Sequence, residues 1–335
     1  MPQSHNIVIQ YFSRVTPTVR HRLLFLLVGC ALLLGFIFWQ TSADDNSSFL
    51  AELSRIPVYL APVIIAGLGL TGIIFAGGID LSISTIIVVA GTVFGILYDY
   101  GANPGVCFFG CWLTAVALSS WNGLLVRWLG ISPIIITLAG LQFYRGLALI
   151  LADTLMPDFG GGMSIQQAAY QTPAKEYAGW ILAVVVVAAL VWEAYGKTFR
   201  EFLALGCSPQ ACRIAGLHPR RILQMSYLVG GLFLGVAAVL YVTNRQVIEP
   251  ARMAMGFELS VIGAVVLGGT NIFGGEGTML GTVLGALFLY LIGQAMLYAG
   301  VSEYWRTAIE GAVIVAVIGF DCALHRRRKL LDELR

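Results

Sequence analysis

The sequence predicts an all-α fold: a polytopic membrane bundle of about ten transmembrane helices with glycine-rich broken or re-entrant segments. Three observations carry this prediction. Hydrophobic residues make up 58% of the 335 positions and charged residues only 11%, against roughly 25% charged in an average soluble protein. Apolar runs long enough to cross a bilayer recur along the whole chain, and mean hydropathy is +0.83. Lys and Arg also cluster in alternate polar segments, as expected where basic loops stay on the cytoplasmic side.

The elements follow in order. Residues 1–22 form a basic N-terminal segment with Arg14, Arg20 and Arg22. Apolar spans are expected near 23–40, 58–76, 83–98, 106–120, 131–151, 179–195, 222–241, 258–268 together with 280–300, and 303–321. The runs at 83–98, 106–120 and 258–268 are short for a crossing, which points to tilted, broken or re-entrant helices. Residues 23–321 thus read as one transmembrane domain, and residues 322–335 as a basic cytoplasmic tail. Segments 1–22, 121–130, 196–221 and the tail hold 14 of the 20 Lys and Arg. Both termini are therefore expected in the cytoplasm, with an even number of crossings. Residues 1–43 also have the outline of a signal peptide, but an uncleaved first span explains the same features.

Several function classes are excluded. A net charge of +2 offers no basic face for nucleic acid. The six Cys (30, 107, 111, 207, 212 and 322) are scattered, and the four His (5, 21, 218 and 325) lie outside the apolar runs. Neither pattern suggests a disulfide scaffold or an intramembrane metal. Gly196-Lys197-Thr198 ends like a phosphate-binding loop, but Val191 occupies the position of its first glycine. No nucleophile elbow and no zinc-protease motif is present. No covalent catalysis and no cofactor is expected of this chain.

Two glycine-rich interruptions stand out. The first runs from Gly72 through Gly77-Gly78-Ile-Asp80-Leu-Ser82 to Ser84; the second contains Gly268-Gly269-Thr270-Asn271 and Gly274-Gly275. Aligning Gly77-Gly78 with Gly274-Gly275 also pairs Gly72 with Gly269 and Thr85 with Thr282, a weak internal repeat. Paired glycine breaks in two halves point to a transport pathway, because irregular backbone at membrane depth must be buried or lined by water. Helix packing alone would also use such glycines. Asp80 reads either as a helix cap or as a polar partner for solute. In segment 196–221, Ser208 reads as N-cap, Pro209 as first helical residue and Gly216 as terminator of a short helix. Such an element suits docking to a cytoplasmic partner, although an ordinary basic loop has the same composition.

The chain resembles the ABC sugar-importer permeases of the ribose, xylose and autoinducer-2 type. The resemblance rests on Gly77-Gly78-Ile-Asp80-Leu-Ser82, on Phe257-Glu258 through Gly268-Gly269-Thr270 with Phe273-Gly274-Gly275 and Gly281-Thr282, and on Gly206…Ala211-Cys-Arg213-Ile-Ala-Gly216. It departs from the family at Cys207-Ser208-Pro209, Cys212 and Ser84. The resemblance implies a permease subunit in a bacterial cytoplasmic (inner) membrane. A second permease subunit, identical or paralogous, a cytoplasmic ABC ATPase dimer and a periplasmic sugar-binding protein would complete the importer. Gly77, Gly78, Asp80, Ser82, Gly268, Gly269, Thr270, Asn271, Gly274 and Gly275 would then line or shape the solute path. Gly206, Ala211, Arg213 and Gly216 would belong to the ATPase-coupling helix. Arg145 is expected to snorkel toward the surface, to contact the binding protein or to neutralise an acidic neighbour. An ion-driven secondary transporter is the alternative; it would require further intramembrane charges beyond Asp80.

Overall fold

The computed structural model describes residues 17–42, 49–155, 163–164 and 176–302, and single positions between 305 and 319. The expected span at 303–321 and the basic tail fall largely or wholly outside the described residues. Eleven helices occur among the described residues: α1 (Pro17–Ser42), α2 (Phe49–Phe75), α3 (Ile83–Asp99), α4 (Pro104–Leu129), α5 (Pro133–Leu155), α6 (Ala178–Tyr195), α7 (Lys197–Cys207), α8 (Pro209–Ile214), α9 (Pro219–Arg245), α10 (Phe257–Leu267) and α11 (Met279–Tyr298). Seven are long and apolar enough to cross a membrane, namely α1, α2, α4, α5, α6, α9 and α11; α3 and α10 are shorter apolar helices. The protein is an all-α polytopic bundle.

Two expectations change. The run at 106–120 is not a short span: α4 continues to Leu129 and covers 26 residues. Ser119, Ser120 and Asn122 end the apolar run in the sequence, yet each hydroxyl or amide finds a partner, so the helix carries them at no loss. Segment 196–221 is also more ordered than a loop with one short helix. It begins with the amphipathic α7, whose Phe199, Phe202 and Leu205 are buried.

Helix α2 is the centre of the bundle. One apolar cluster packs its Ile65, Leu70 and Ile73 against α3, α4 and α9. A second packs its Leu60, Leu68 and Phe75 against α1, α7, α10 and α11. Helices α1, α5 and α6 keep most of their surface outward, with Phe25, Ile135, Phe143 and Trp180 exposed. Exposed residues this apolar suit hydrocarbon rather than water.

The most extensive helix contact is between α4 and α9. Gly231 and Gly235 on α9 face Val116, Ser119 and Trp112 on α4, and Gly123 on α4 faces Tyr227. Small residues at a four-residue spacing let the backbones approach. Ser119 Oγ then donates across the crossing to the Tyr227 carbonyl at 2.9 Å. At the far end of α9, two short strands, β1 (Met163–Ser164) and β2 (Val247–Ile248), pair antiparallel. Residues 163–164 and 247–248 therefore meet at one end of the bundle.

This crossing predicts a contrast in stability. Gly231→Leu places side-chain atoms against the Val116 backbone and Ser119 and should destabilise the fold by about 1–3 kcal/mol. Gly146→Leu, where no atom lies within 4 Å of the Cβ position, should leave stability nearly unchanged. Thermal unfolding of the two detergent-purified variants measures the difference.

Candidate functional site

Both glycine interruptions begin with the same helix terminator. At the end of α2, Gly77 N–H donates to the Ile74 carbonyl at 2.8 Å and Gly78 N–H to Ile73 at 2.9 Å. At the end of α10, Gly269 N–H donates to Val266 at 2.9 Å and Thr270 N–H to Val265 at 3.2 Å. This paired pattern is the Schellman cap, and it requires a left-handed residue just past the helix. Gly77 (φ +77°) and Gly269 (φ +91°) supply it. The caps therefore pair Gly77 with Gly269, not with Gly274 as the sequence alignment has it. The second interruption is longer: nine positions separate Gly269 from the N-cap Thr278, five separate Gly77 from the N-cap Ser82. The extra residues form a turn in which Asn271 N–H donates to the Glu276 carbonyl and Gly274 N–H to the Asn271 carbonyl, each at 2.9 Å.

The two interruptions touch, and the end of α7 touches both. Gly275 N–H donates to the Phe75 carbonyl at 3.3 Å. Cys207 Sγ donates to the Gly275 carbonyl at 3.4 Å. A Cβ at Gly274 (φ +94°) would lie 3.1 Å from both Gly206 Cα and Gly77 N. A Cβ at Gly206 would overlap the Phe75 carbonyl and Gly275 N. Three backbones thus meet with no side chain between them. Thr71 and Thr282 share a 2.7 Å hydrogen bond that ties α2 to α11 nearby. Gly268 and Gly281 are in direct backbone contact, which closes α10 onto α11.

From this junction α8 projects outward. Ser208 Oγ accepts from Ala211 N–H at 3.2 Å, Pro209 opens the helix, and Gly216 (φ +76°) closes it. The sequence reading of this short helix agrees with the structure in each of these features. Cys212 is buried and roots the helix, whereas Ile214 is 89% exposed and Arg213 is also exposed.

Asp80 and Ser82 lie apart from the junction. Asp80 is fully enclosed; its Oδ1 accepts from Ser82 N–H at 2.9 Å and Ser82 Oγ at 2.6 Å. Asn122 Nδ2 donates to Ser82 Oγ at 2.8 Å, and Tyr144 Oη donates to Asn122 Oδ1 at 2.7 Å. Tyr227 Oη donates to the Ile79 carbonyl at 2.9 Å. Asp80 is therefore the end of a polar chain through α4 and α5, under the tyrosine of α9. Its Oδ2 has no partner among the described residues, and neither has the buried Thr270 Oγ1. Asn122, Tyr144 and Tyr227 did not stand out in the sequence, since none sits in a motif and their partners are far away in the chain.

At the opposite end Arg145 neither snorkels nor points outward. Its Nη1 donates to the carbonyls of Pro250 and Met253, each at 2.8 Å. Ala254 N–H donates to Tyr241 Oη at 3.0 Å, and Asn244 Nδ2 donates to the Val58 carbonyl. These bonds hold a segment in which Gln246 and Ala254 both take positive φ, a strained setting for residues with a Cβ. Among the described residues no cluster of three metal-ligating side chains occurs.

The Asp80 chain predicts a stability order. Asp80→Asn retains an oxygen for Ser82 and cannot carry a charge. Asp80→Ala leaves the Ser82 donors unmet, at a cost of about 1–3 kcal/mol. Asp80→Ala should therefore unfold well below wild type and Asp80→Asn close to it. An equal loss in both variants would show that the charge itself is needed.

The profile of the family described as "Branched-chain amino acid transport system / permease component" matches residues 53–318. The chain is 30% identical to the autoinducer 2 import system permease protein LsrC of Photorhabdus luminescens, over 87% of this chain and 89% of that protein. The LsrC protein of Escherichia coli O157:H7 is also 30% identical, over 96% of this chain and 92% of its own length. The D-allose transport system permease protein AlsC of Escherichia coli (strain K12) is 27% identical, over 81% and 83%.

Proposed function

The chain belongs to this permease-component family, and on that premise we propose that it is the membrane subunit of an ATP-driven importer for a sugar or sugar-like solute. The names of its relatives, which concern autoinducer 2 and D-allose, support a small hydroxylated solute. The single observation that carries the mechanism is the backbone junction of Gly206 with Phe75 and Gly275. An ATPase subunit in the cytoplasm would grip α8 through the exposed Ile214 and Arg213. A second permease subunit would form the other wall of the path, and a periplasmic binding protein would deliver solute at the outer end. Both termini would be cytoplasmic.

The physical logic is one of transmission. Close-packed interiors are nearly incompressible, so a displaced contact pushes its neighbour rather than deforming. Movement of α8 pulls on Cys207 and Gly206, which abut the last carbonyl of α2 and the loop between α10 and α11. One push from the ATPase therefore reaches both interrupted helix pairs together. The glycines at 77, 269, 274 and 275 set the shape of those interruptions. Asp80, Ser82, Thr270 and Asn271 supply polar groups beside them, where a solute hydroxyl could exchange hydrogen bonds as the interruptions move.

Affinity capture of the tagged chain from native membranes, followed by mass spectrometry, tests the assembly. An ATPase and a second permease, or two copies of this chain, should co-purify. A folded chain recovered alone under mild detergent would favour an ion-driven carrier instead. Coupling is tested in the reconstituted complex. Gly206→Ala and Arg213→Glu should each lower solute uptake by about tenfold or more, while the complex still assembles or the ATPase still turns over. Wild-type uptake in Gly206→Ala would remove the junction from the mechanism.

A further inference from the structure

A cavity of about 810 Å³ opens where the last turn of α4 faces the turn between α8 and α9. Arg127, Arg213, His218, Arg220 and Arg221 line it, and among the described residues no acidic side chain does. The fold gathers these cations deliberately. Gly216 and Pro219 reverse the chain between α8 and α9, which brings Arg213 and the Arg220–Arg221 pair to one opening. Arg127 is held from the other side, its Nη1 donating to Gln224 Oε1 at 2.6 Å. Arg220 reaches the α4–α5 turn, where its Nη2 lies 3.7 Å from the Cβ position of Gly130. The guanidinium groups of Arg213, Arg220 and Arg221 make no ion pair or hydrogen bond among the described residues. Four guanidinium groups around one opening repel one another unless an anion neutralises them. Guanidinium forks match the several oxygens of a phosphate.

The rim identifies the kind of phosphate. Beside the arginines the lining includes Trp128, which is 66% exposed, and the chain continues from it through Leu129, Ile131, Ile134 and Ile135, all of them exposed. These residues run from the end of α4 into the start of α5, both long enough to span the bilayer. Tryptophan favours the membrane interface, and basic pockets between helices at that depth suit lipid headgroups. A free phosphate would meet the arginines and leave the apolar rim bare. An acidic protein surface would match the charge alone. We propose that this cavity is a binding site for the headgroup of an anionic phospholipid, whose acyl chains lie along the exposed start of α5. The site rests on the membrane reading of the fold and shares Arg213 with the proposed ATPase contact, whereas Arg127, Arg220 and Arg221 belong to the cavity alone.

Native mass spectrometry of the detergent-purified full chain tests this directly. Dioleoyl-phosphatidylglycerol should bind about tenfold more tightly than dioleoyl-phosphatidylcholine. The preference should shrink as ionic strength rises. The double variant Arg220→Gln/Arg221→Gln should lose the preference, and Arg220→Lys/Arg221→Lys should keep most of it, both with an unchanged unfolding temperature. If the Gln variant unfolds, Arg127→Gln with Arg213→Gln takes its place. No preference in wild type, or a preference that survives both Gln variants, overturns the site. Displacement of the lipid by an equal concentration of inorganic phosphate would make it a free-anion site instead. Retained lipid preference with lost ATPase capture in the Gln variants would assign the arginines to a protein contact and equally overturn the proposal.

Discussion

The whole structure depends on how the bundle interrupts its helices without leaving backbone groups unmet. Inside an apolar bundle, an unpaired N–H or carbonyl costs several kcal/mol. The two interruptions solve this locally. Schellman caps at Gly77 and Gly269 return the last carbonyls of α2 and α10 to backbone donors. Thr278 Oγ1 accepts from Gly281 N–H at 2.9 Å at the start of α11, where Glu193 Oε2 also accepts from Met279 N–H at 3.2 Å. The remaining carbonyl of Phe75 is met from outside the interruption, by Gly275. That last bond is possible only because Gly206, Gly274 and Gly275 bring no side chains into the contact. Helix termination and tertiary contact are therefore the same set of atoms.

Much of this was legible beforehand, and for identifiable reasons. The α8 helix could be read from Ser208, Pro209 and Gly216, since caps are local and each residue has its own backbone chemistry. The interruptions could be read from glycines near a carboxylate. Their meeting could not, because Gly206 lies 131 positions from Phe75 in the chain and no spacing rule links them. The alignment of Gly77 with Gly274 followed a repeated pair of letters. The caps follow φ, and φ places Gly269 in the role of Gly77. Helix α4 was cut short in the sequence reading because polar residues interrupt hydropathy. Their partners, the Tyr227 carbonyl and Ser82 Oγ, lie on other elements.

Asp80 illustrates the difference between a polar residue and a polar site. The sequence offers a lone acid between two apolar runs. The fold gives it two donors from Ser82 and a chain onward through Asn122 to Tyr144. One oxygen is left without a donor in a fully buried setting. A network with one open valence is the costly arrangement, because low dielectric strengthens each bond made and each bond missing. The chain ends at Tyr144, one residue before Arg145, so α5 carries both the Asp80 network and the contacts to segment 250–253.

The two ends of the bundle are therefore held by different physics. Around Gly206 the contact is backbone on backbone, with no rotamer to change, and α7 moves the ends of α2 and α10 only as a body. Around Arg145 the 246–256 segment hangs from a guanidinium, a phenol and an amide, against two residues in a strained backbone region. Side-chain tethers of this kind can let go by rotation about χ angles on a ps–ns scale where exposed, and stored strain favours release. Helix α5 runs from the first interruption to the far segment: Thr137 near its start donates to the Ile79 carbonyl at 3.3 Å, and Arg145 further along holds residues 250 and 253. A rigid end and a releasable end are what alternating access would require of the proposed subunit, were it pushed from one side. The glycines at 206, 274 and 275 would make that end the rigid one, since no side chain lies in the contact to give way.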